Sequence, residues 1–200
     1  MGEGKLRVLR NVKERRSSIM NIKGSWGKRL MLGFFAAVIC SAGVVIAANN
    51  TKADKELLNR ANQTLQHLKN RDFKKLAQFV HSNVKFSQYG GSDDLDSVKF
   101  TPAQLKVLKL TDKFTWGKYD GSGDPIDLSV EDYFKEFVFP HDFTKAPEIG
   151  VSLKEHCVQY HFPGFNPEFE GLDWATLTLL FEKVDKQWML TGVVHNCWTI

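Results

Sequence analysis

The stretch from Trp174 to Thr199, WATLTLLFEKVDKQWMLTGVVHNCWT, decides the fold of this chain. Apolar side chains recur along it with a period of two, which is typical of β-strands that bury one face. The polar residues 185–187 interrupt this alternation and indicate a turn. We therefore expect two antiparallel strands, Trp174 to Val184 and Trp188 to Thr199. The buried side of the first strand carries Ala175, Leu177, Leu179 and Phe181.

A third strand precedes this hairpin, because the same alternation occurs between residues 156 and 162. One face of it carries His156, Val158, Tyr160 and Phe162. Strands that follow one another in a meander pair with each other, so the strand from Trp174 to Val184 should lie in the middle. Two shorter strands are predicted upstream, at Val84 to Phe86 and at Phe114 to Tyr119.

The region before the meander has the period of amphipathic helices, with apolar residues three or four positions apart. The first helix begins at the cap Thr51-x-x-Asp54 and buries Leu57, Leu58, Ala61, Leu65 and Leu68. A short second helix is predicted after the cap residue Asn70, with Phe73, Leu76, Ala77 and Val80 inward.

Two further helices have clear capping signals. Thr101-Pro102-Ala103-Gln104 combines an N-cap, a proline in the first turn and a capping box, which predicts a helix to about Lys109. The Gly-rich run from Asp120 to Pro125 turns the chain. Ser129-x-x-Asp132 then caps a helix that buries Val130, Tyr133, Phe134, Phe137 and Val138. Helices come first and antiparallel strands last, so the sequence predicts an α+β domain.

Residues 30–48, LMLGFFAAVICSAGVVIAA, carry no charge and directly follow Lys28 and Arg29. A membrane-spanning helix needs ~20 apolar residues and a signal-peptide core ~7–15, so the run fits either an anchor or a cleavable signal peptide. The basic flank places the N-terminus in the cytoplasm in both cases. Both alternatives predict a cytoplasmic segment at residues 1–29 and an extracytoplasmic domain at residues 52–200, secreted or attached to the membrane.

Two details of this region stay open. Met20 is an alternative start, because the residues after it have the form of an ordinary bacterial signal sequence. A lipid on Cys40 is a further alternative, although Ile39 stands where a lipidation motif has a small residue.

The net charge of +4 combines two regions of opposite sign. Residues 1–29 carry nine Lys and Arg and two acidic residues, which gives +7. The rest of the chain carries 18 basic and 21 acidic residues, which gives −3. The charges of this acidic part are interspersed and form no basic stripe, which argues against nucleic-acid binding.

The order of the predicted elements, a helix pair, a short strand, further helices and then a curved antiparallel sheet, resembles the nuclear-transport-factor-two-like (SnoaL-like) cone fold over residues 52–200. Three strings, FTWGKYDGSGDPIDLSVEDY at residues 114–133, FPGFNPEFEGLDW at residues 162–174 and WMLTGVVHNCWTI at residues 188–200, are similar to an uncharacterised family of exported proteins from Gram-positive bacteria. This resemblance implies a cell-surface or secreted domain whose site lies in an aromatic-lined pocket between helices and sheet. The fold hosts enzymes and binding modules alike.

The Gly-rich turn offers a calcium interpretation, because four oxygen-bearing residues occupy positions one, three, five and twelve of a calcium-binding loop: Asp120, Ser122, Asp124 and Glu131. However, Pro125 stands where such a loop needs glycine, and a predicted strand precedes it instead of a helix. We therefore interpret the run as a turn, with calcium binding as the alternative, and we predict no cofactor.

Cys157 and Cys197 are the two cysteines after the apolar run, and export favours a disulfide between them. The predicted strand order opposes this bond, because their strands flank a middle strand and lie ~9.6 Å apart. A disulfide needs Cα atoms within about 7 Å. We expect two separate buried thiols, with the disulfide as the alternative. The same separation opposes a zinc site made from these cysteines with His161 and His195.

The cone-fold resemblance also implies candidate residues for acid–base chemistry, since enzymes of that fold place His, Asp or Tyr inside the pocket. His195 and Asp120 are the candidate catalytic residues, and a histidine titrates near neutral pH. The candidate ligand-binding residues are aromatic: Trp116, Tyr119, Tyr133, Tyr160 and Trp198. The alternative is a structural role for each of these side chains, as core residues or as a histidine bonded to backbone.

The sequence thus leaves three interpretations of function. The first is an exported domain that binds a ligand or partner at the cell surface, which the lack of a recognisable catalytic motif favours. The second is a small-molecule enzyme, such as an isomerase, dehydratase or hydrolase, that uses His195 or Asp120 as general base. The third is a structural subunit that forms a homodimer through its sheet.

Overall fold

The computed structural model describes residues 51–90 and 97–197. The predicted cytoplasmic segment, the apolar run at residues 30–48 and the candidate residue Trp198 lie outside the described residues. Within the described ranges, no helix has the length and apolar character that crossing a bilayer requires.

The first helix, α1, spans Lys52–Lys69 and confirms the prediction from its cap and period. The Thr51 side chain accepts a hydrogen bond from the Asp54 backbone, and the Asp54 carboxylate in turn accepts one from the Thr51 N–H. Three backbone hydrogen bonds that satisfy the carbonyls of the last turn end the helix, with Arg71 in the left-handed conformation. Asn70 is therefore the C-cap of α1, so its predicted role as N-cap of the next helix is wrong.

Three shorter helices follow. The helix α2 spans Phe73–Leu76, is capped by Asp72 and continues as a 3₁₀ turn at Ala77–Phe79. The helix α3 spans Pro102–Val107 with the predicted capping box, and it ends two residues earlier than expected. The helix α4 spans Val130–Tyr133, begins at the predicted cap Ser129 and widens into a π-turn at Phe134–Val138.

The strands form a six-stranded sheet in the order β2-β1-β8-β7-β6-β5 and a separate two-stranded hairpin, β3-β4. Their bounds are β1 Val84–Ser87, β2 Ser97–Phe100, β3 Lys113–Lys118, β4 Pro125–Ser129, β5 Glu148–Ser152, β6 Cys157–Phe162, β7 Ala175–Val184 and β8 Gln187–Cys197. The strand β7 lies between β6 and β8, which confirms the predicted meander. A bulge at Leu180/Phe181 bends the sheet, so the described part is α+β with a curved sheet.

The sheet differs from the predicted antiparallel arrangement in one pairing, because β1 runs parallel to β8. The strands β2, β4 and β5 were not predicted from the sequence. β2 and β5 are short strands at the two edges of the sheet, and β4 begins at Pro125 inside the expected turn. Edge strands bury little on either face, so their sequences lack the alternation that marks the meander.

The core lies between the helices and the inner face of the sheet, which is the face that carries Tyr160, Leu177 and His195 side by side. The predicted helix residues Leu57, Ala61, Leu65 and Leu68 are buried in it, and so are Tyr133, Phe134 and Phe137 of the α4 region. His156 was expected on this face, but it is exposed and left-handed, with φ 52°, just before β6. A left-handed backbone is not extended, so β6 begins only at the next residue, Cys157.

Candidate functional site

His195 lies on β8 with its side chain on the inner face, and only 4% of the residue is exposed. Its ring approaches the rings of Phe137 and Phe143, with centroids 6.4 Å and 6.3 Å away. Neither ring nitrogen has a hydrogen-bond partner among the described residues. Burial, and secondarily the charge of His141, lowers the pKa of His195 to about 4. The imidazole is therefore neutral at pH 7.

Asp120 does not form a pair with His195. It is exposed at the turn between β3 and β4. Its charge raises the pKa of Tyr89 and of the Cys197 thiol, in both cases after the larger effect of burial. The structure thus places the two candidate catalytic residues in different environments, one enclosed by aromatic rings and one in solvent.

Trp116 and Tyr133 are core residues in this structure. Trp116 is fully buried, and its ring stacks on that of Tyr133 at a centroid distance of 3.8 Å and an interplanar angle of 8°. The Trp116 indole donates a hydrogen bond to the Leu128 carbonyl at 3.0 Å. The buried Tyr133 hydroxyl donates one to the Gln88 side chain at 3.3 Å. Both side chains, expected to bind a ligand, are therefore packed within the core.

Tyr119 lies at the rim of the same aromatic cluster, half-buried beside Phe137. Its hydroxyl is hydrogen-bonded to Glu136, and burial followed by the charge of Glu136 raises its pKa. Tyr89 packs edge-on against Phe137 at 5.7 Å, and its pKa is raised to about 12, mainly by burial. Both phenols are neutral at physiological pH, so neither is prepared to act as a base.

The residues of the calcium interpretation lie at opposite ends of the β3–β4 hairpin. Asp120, Ser122 and Asp124 belong to the turn, and the Asp124 N–H donates to the Ser122 hydroxyl. Glu131 lies beyond the other end of β4, where it ion-pairs with Lys135 at 2.9 Å. A strand of this length separates the two ends by about 17 Å. Across the described ranges, no three His, Cys, Asp or Glu side chains come together to hold a metal ion.

Cys157 and Cys197 form no disulfide with each other and lie on opposite faces of the sheet. Cys157 is paired in register with Leu180, and Cys197 with Ala175. Val158 and Ala175 belong to the core cluster, so the residue next to Val158 points to the outer face while Cys197 points inward. The same alternation puts His161 on the outer face and His195 on the inner face, which also separates the four residues of the zinc interpretation.

An open groove of about 480 Å³ lies between α1 and the β5 edge of the sheet. Its lining carries no charged side chain and combines amides, hydroxyls and two aliphatic groups: Asn62, Gln63, Leu65, Gln66, Thr144, Ile149 and Tyr160. Its volume falls within the usual range for small-ligand sites, which is about 300–1,000 Å³. Ile149 is 46% exposed, so an aliphatic side chain faces solvent at the open side.

Tyr160 connects the sheet to α1 at this groove. Its ring is buried on β6, and its hydroxyl donates a hydrogen bond of 2.8 Å to the Asn62 side chain. Burial raises the pKa of the hydroxyl, which therefore remains a neutral donor. Of the five predicted aromatic candidates, Tyr160 is the one that lines the described groove.

An ion-pair network adjoins the groove at Thr144. The Lys69 ammonium donates to both Asp142 carboxylate oxygens, at 2.9 and 2.8 Å, and to the Thr144 hydroxyl at 3.2 Å. The Thr144 hydroxyl also donates to Asp142 at 2.6 Å. These bonds, with that to Lys69 foremost, lower the pKa of Asp142 to about 2. The Asp142 carboxylate also lies 3.7 Å from the ammonium of the exposed Lys145. The network orients Thr144, and none of its charged groups belongs to the groove lining.

The sequence missed most of this lining. Asn62, Gln63 and Gln66 lie on an exposed part of α1, where amides have the same pattern as any solvated helix face. Thr144 and Ile149 come from a 3₁₀ turn and an edge strand that the sequence did not predict. The available signal was the run of four uncharged amides, Asn59, Asn62, Gln63 and Gln66, on a helix that is otherwise rich in charge. The chain matches no protein-family model, no curated protein and no solved structure.

Proposed function

We propose that this chain is a binding domain that works outside the cytoplasm and holds a neutral, polar ligand in the groove between α1 and β5. The groove itself carries the proposal, because it joins a neutral lining to a volume suited to a ligand. Amides and hydroxyls supply both donors and acceptors, and Leu65 and Ile149 supply apolar contact.

The interior supports this choice over an enzyme. Trp116 and Tyr133, two of the residues expected to line such a pocket, instead stack on each other in the core. His195 has lost much of its basicity, with a pKa of about 4, and Asp120 lies apart from it in solvent. Binding in the groove needs neither residue.

The fold supports a relation to the cone fold, which we also propose. Helices cover the inner face of a curved sheet whose last three strands form a meander. The separate β3–β4 hairpin and the parallel β1–β8 pair would then be features of this chain's own variant. An experimental structure that shows the same sheet order would support this relation, and one with a flat or differently ordered sheet would contradict it.

The extracytoplasmic location rests on the uncharged run at residues 30–48 and on the +7 segment before it. Cell fractionation followed by intact-mass measurement tests this location. Either the whole chain in the membrane fraction or a shortened chain outside the cell supports export. The whole chain in the cytosolic fraction contradicts it.

A groove-filling substitution tests the binding site. Gln66→Trp places an indole in the groove from an exposed position on α1, so the fold should tolerate it. Binding is measured by nuclear magnetic resonance on the full chain in detergent, with a panel of short neutral oligosaccharides and uncharged tetrapeptides. We expect shifts at groove residues in the unmodified chain and at least a tenfold weaker affinity in Gln66→Trp.

Lys55→Trp is the control. Lys55 is also exposed on α1, and it lies seven residues before Asn62, the first α1 residue of the groove lining. At 1.5 Å per residue, it is about 10 Å from the lining along the helix. Affinity should be unchanged in this variant. Equal loss in both variants, or ligand shifts confined to residues outside the groove, would contradict the proposal.

A further inference from the structure

The strand β5 is an edge of the six-stranded sheet and also one wall of the groove. Within the described residues, no backbone hydrogen bond outside the β5–β6 ladder uses a group of Glu148–Ser152. An edge strand presents a row of N–H and C=O groups that another extended chain can pair with. The strand β5 therefore has backbone groups available for pairing along its edge, and its residue Ile149 lines the groove.

The register of β5 shows which of its side chains face the groove. Ile149 lies opposite Tyr160, and Tyr160 bonds to Asn62 of α1, so Ile149 is on the helix side of the sheet. A residue added next to Ile149 on a further strand would have its Cβ about 4.5–5.5 Å away and would point to the same side. Its side chain would enter the groove.

We propose that the ligand of this groove is an extended peptide, which pairs with the free edge of β5 and inserts every second side chain between β5 and α1. This inference rests on the proposed binding function and specifies its ligand. The backbone of β5 supplies affinity that does not depend on sequence, and the groove selects the inserted side chains.

The groove predicts the chemistry of those side chains. Leu65 and Ile149 provide aliphatic contact, and the amides of Asn62, Gln63 and Gln66 provide hydrogen bonds without charge. No charged side chain belongs to the lining, and the Lys69 ammonium beside Thr144 is already bound by Asp142. An ionised side chain would lose its hydration without gaining a partner. The inserted positions should therefore be aliphatic or uncharged polar residues.

A second copy of this chain is a less suitable occupant. Edge-to-edge pairing of two β5 strands would involve five residues from each copy, a length of about 17 Å at 3.4 Å per residue. A stable dimer buries about 1,200–2,000 Å² in total. A contact of this length along strand edges does not supply such an area, whereas a peptide gains contacts from the strand and the groove together.

The test uses the full chain in lipid nanodiscs and a display library of random ten-residue peptides. Peptides enriched on the chain are resynthesised, and the tightest is prepared as a series with one N-methylated amide at each position in turn. N-methylation removes the N–H and blocks strand pairing. We expect at least a tenfold loss of affinity at every second position and little change at the positions between them.

Ile149→Lys provides a second measurement. It places a charge at the junction of edge and groove, and the residue is exposed enough to be replaced without unfolding the domain. Val107→Lys is the matched control, since Val107 is a more exposed aliphatic residue on α3. We expect at least a tenfold loss for Ile149→Lys and a change of less than twofold for Val107→Lys.

Three results would overturn the inference: no enriched peptide, N-methyl sensitivity without a period of two, or equal affinity for Ile149→Lys and Val107→Lys. A dimer in solution that Ile149→Lys dissociates would also overturn it, because a second copy would then occupy the edge. If neutral oligosaccharides still bind the groove and Gln66→Trp removes that binding, the peptide inference fails and the proposed function stands. If neither ligand class binds, both fail.

Discussion

At the scale of single residues, His195 is a buried group whose polar atoms are not satisfied by the described residues. A neutral imidazole has one N–H donor and one acceptor nitrogen, and each buried atom without a partner costs about 1–3 kcal/mol. Phe137 and Phe143 surround the ring and offer it neither donor nor acceptor. Protonation would add a charge to this apolar site, so the residue couples stability to pH.

The stability of the domain should fall in acid because of this histidine. The pKa of His195 is lowered from 6.5 to about 4 in the folded chain. Between these values the unfolded state binds the proton and the folded state does not. Stability is therefore full above pH 6.5 and decreases as the pH falls towards 4, by about 1.4 kcal/mol per pH unit or about 3 kcal/mol in total.

Urea unfolding of the unmodified chain and of His195→Leu between pH 7 and pH 4 measures this contribution. We expect the leucine variant to lose less stability over this range, and the difference between the two chains isolates His195 from the other histidines. His81→Gln, at an exposed position, is the control and should follow the unmodified chain. A pH dependence that His195→Leu leaves unchanged would contradict the assignment.

The turn between β7 and β8 is strained at two residues. Asp185 and Lys186 have φ values of 48° and 69°, the left-handed pair that a two-residue hairpin turn requires. A non-glycine residue pays about 1–2 kcal/mol for this conformation, and glycine does not. A glycine in this turn would avoid that cost. Its greater conformational freedom in the unfolded chain would offset about 0.4–1 kcal/mol of the resulting stabilisation.

We therefore expect Lys186→Gly to stabilise the domain by about 0.5–1 kcal/mol, measured as the free energy of unfolding in urea. Lys186→Ala removes the same charge but keeps the conformational cost, so it should bring no such gain. If alanine and glycine stabilise the chain equally, the charge of the lysine and not its backbone is responsible.

At the scale of elements, α1 is the helix whose boundaries the sequence predicted best. Its reciprocal cap at Thr51 and Asp54 and its period of apolar residues point to the same start and the same buried face. The strands β2, β4 and β5 escaped prediction because each is four or five residues long, and two of them lie at sheet edges. Their conformation is imposed by a neighbouring strand and not by their own pattern.

Removing the N-cap of α1 tests how much the cap contributes to the stability of the folded domain. Thr51→Ala eliminates the hydroxyl that accepts from the Asp54 N–H at 3.2 Å. We expect a loss of about 1 kcal/mol in the free energy of unfolding, because the amide is then left without its partner. Thr51→Ser keeps the hydroxyl and should retain most of the stability. Equal losses in the two variants would mean that the hydroxyl is not what stabilises the helix.

At the scale of the whole molecule, Trp116 joins the β3–β4 hairpin to the rest of the core. Its ring contacts Phe86 of the main sheet at 6.3 Å and stacks on Tyr133 of α4. The residue is fully buried. Among the described strands, the hairpin does not pair with the six-stranded sheet, so side chains such as this one attach it to the domain.

Trp116→Ala should therefore be far more damaging than the loss of a peripheral tryptophan. Emptying a buried aromatic site costs about 3–5 kcal/mol. Trp174 is half-buried and directly precedes β7, and Trp174→Ala should cost clearly less. Chemical unfolding followed by circular dichroism measures both. Similar losses for the two variants would contradict the role assigned to Trp116.

The arrangement of the sheet was only partly accessible from the sequence. The middle position of β7 followed from the meander, because neighbouring strands joined by short turns pair with each other. The parallel pairing of β1 with β8 did not, since Lys85 and Gly192 are brought together over more than a hundred residues with no local signal. The groove was missed for a related reason, because its lining comes from α1, a 3₁₀ turn, β5 and β6.

The position of β8 has a consequence for how the chain is made. This strand lies between β1 and β7, and it is the last of the described strands. The β2–β1 pair therefore cannot join the other strands of the sheet until β8 has been synthesised. Pairings this distant in sequence form late, because the loop between them must close first. During synthesis the sheet can therefore close only after residue 197 has left the ribosome, so its strands pair together late and not one by one as they emerge.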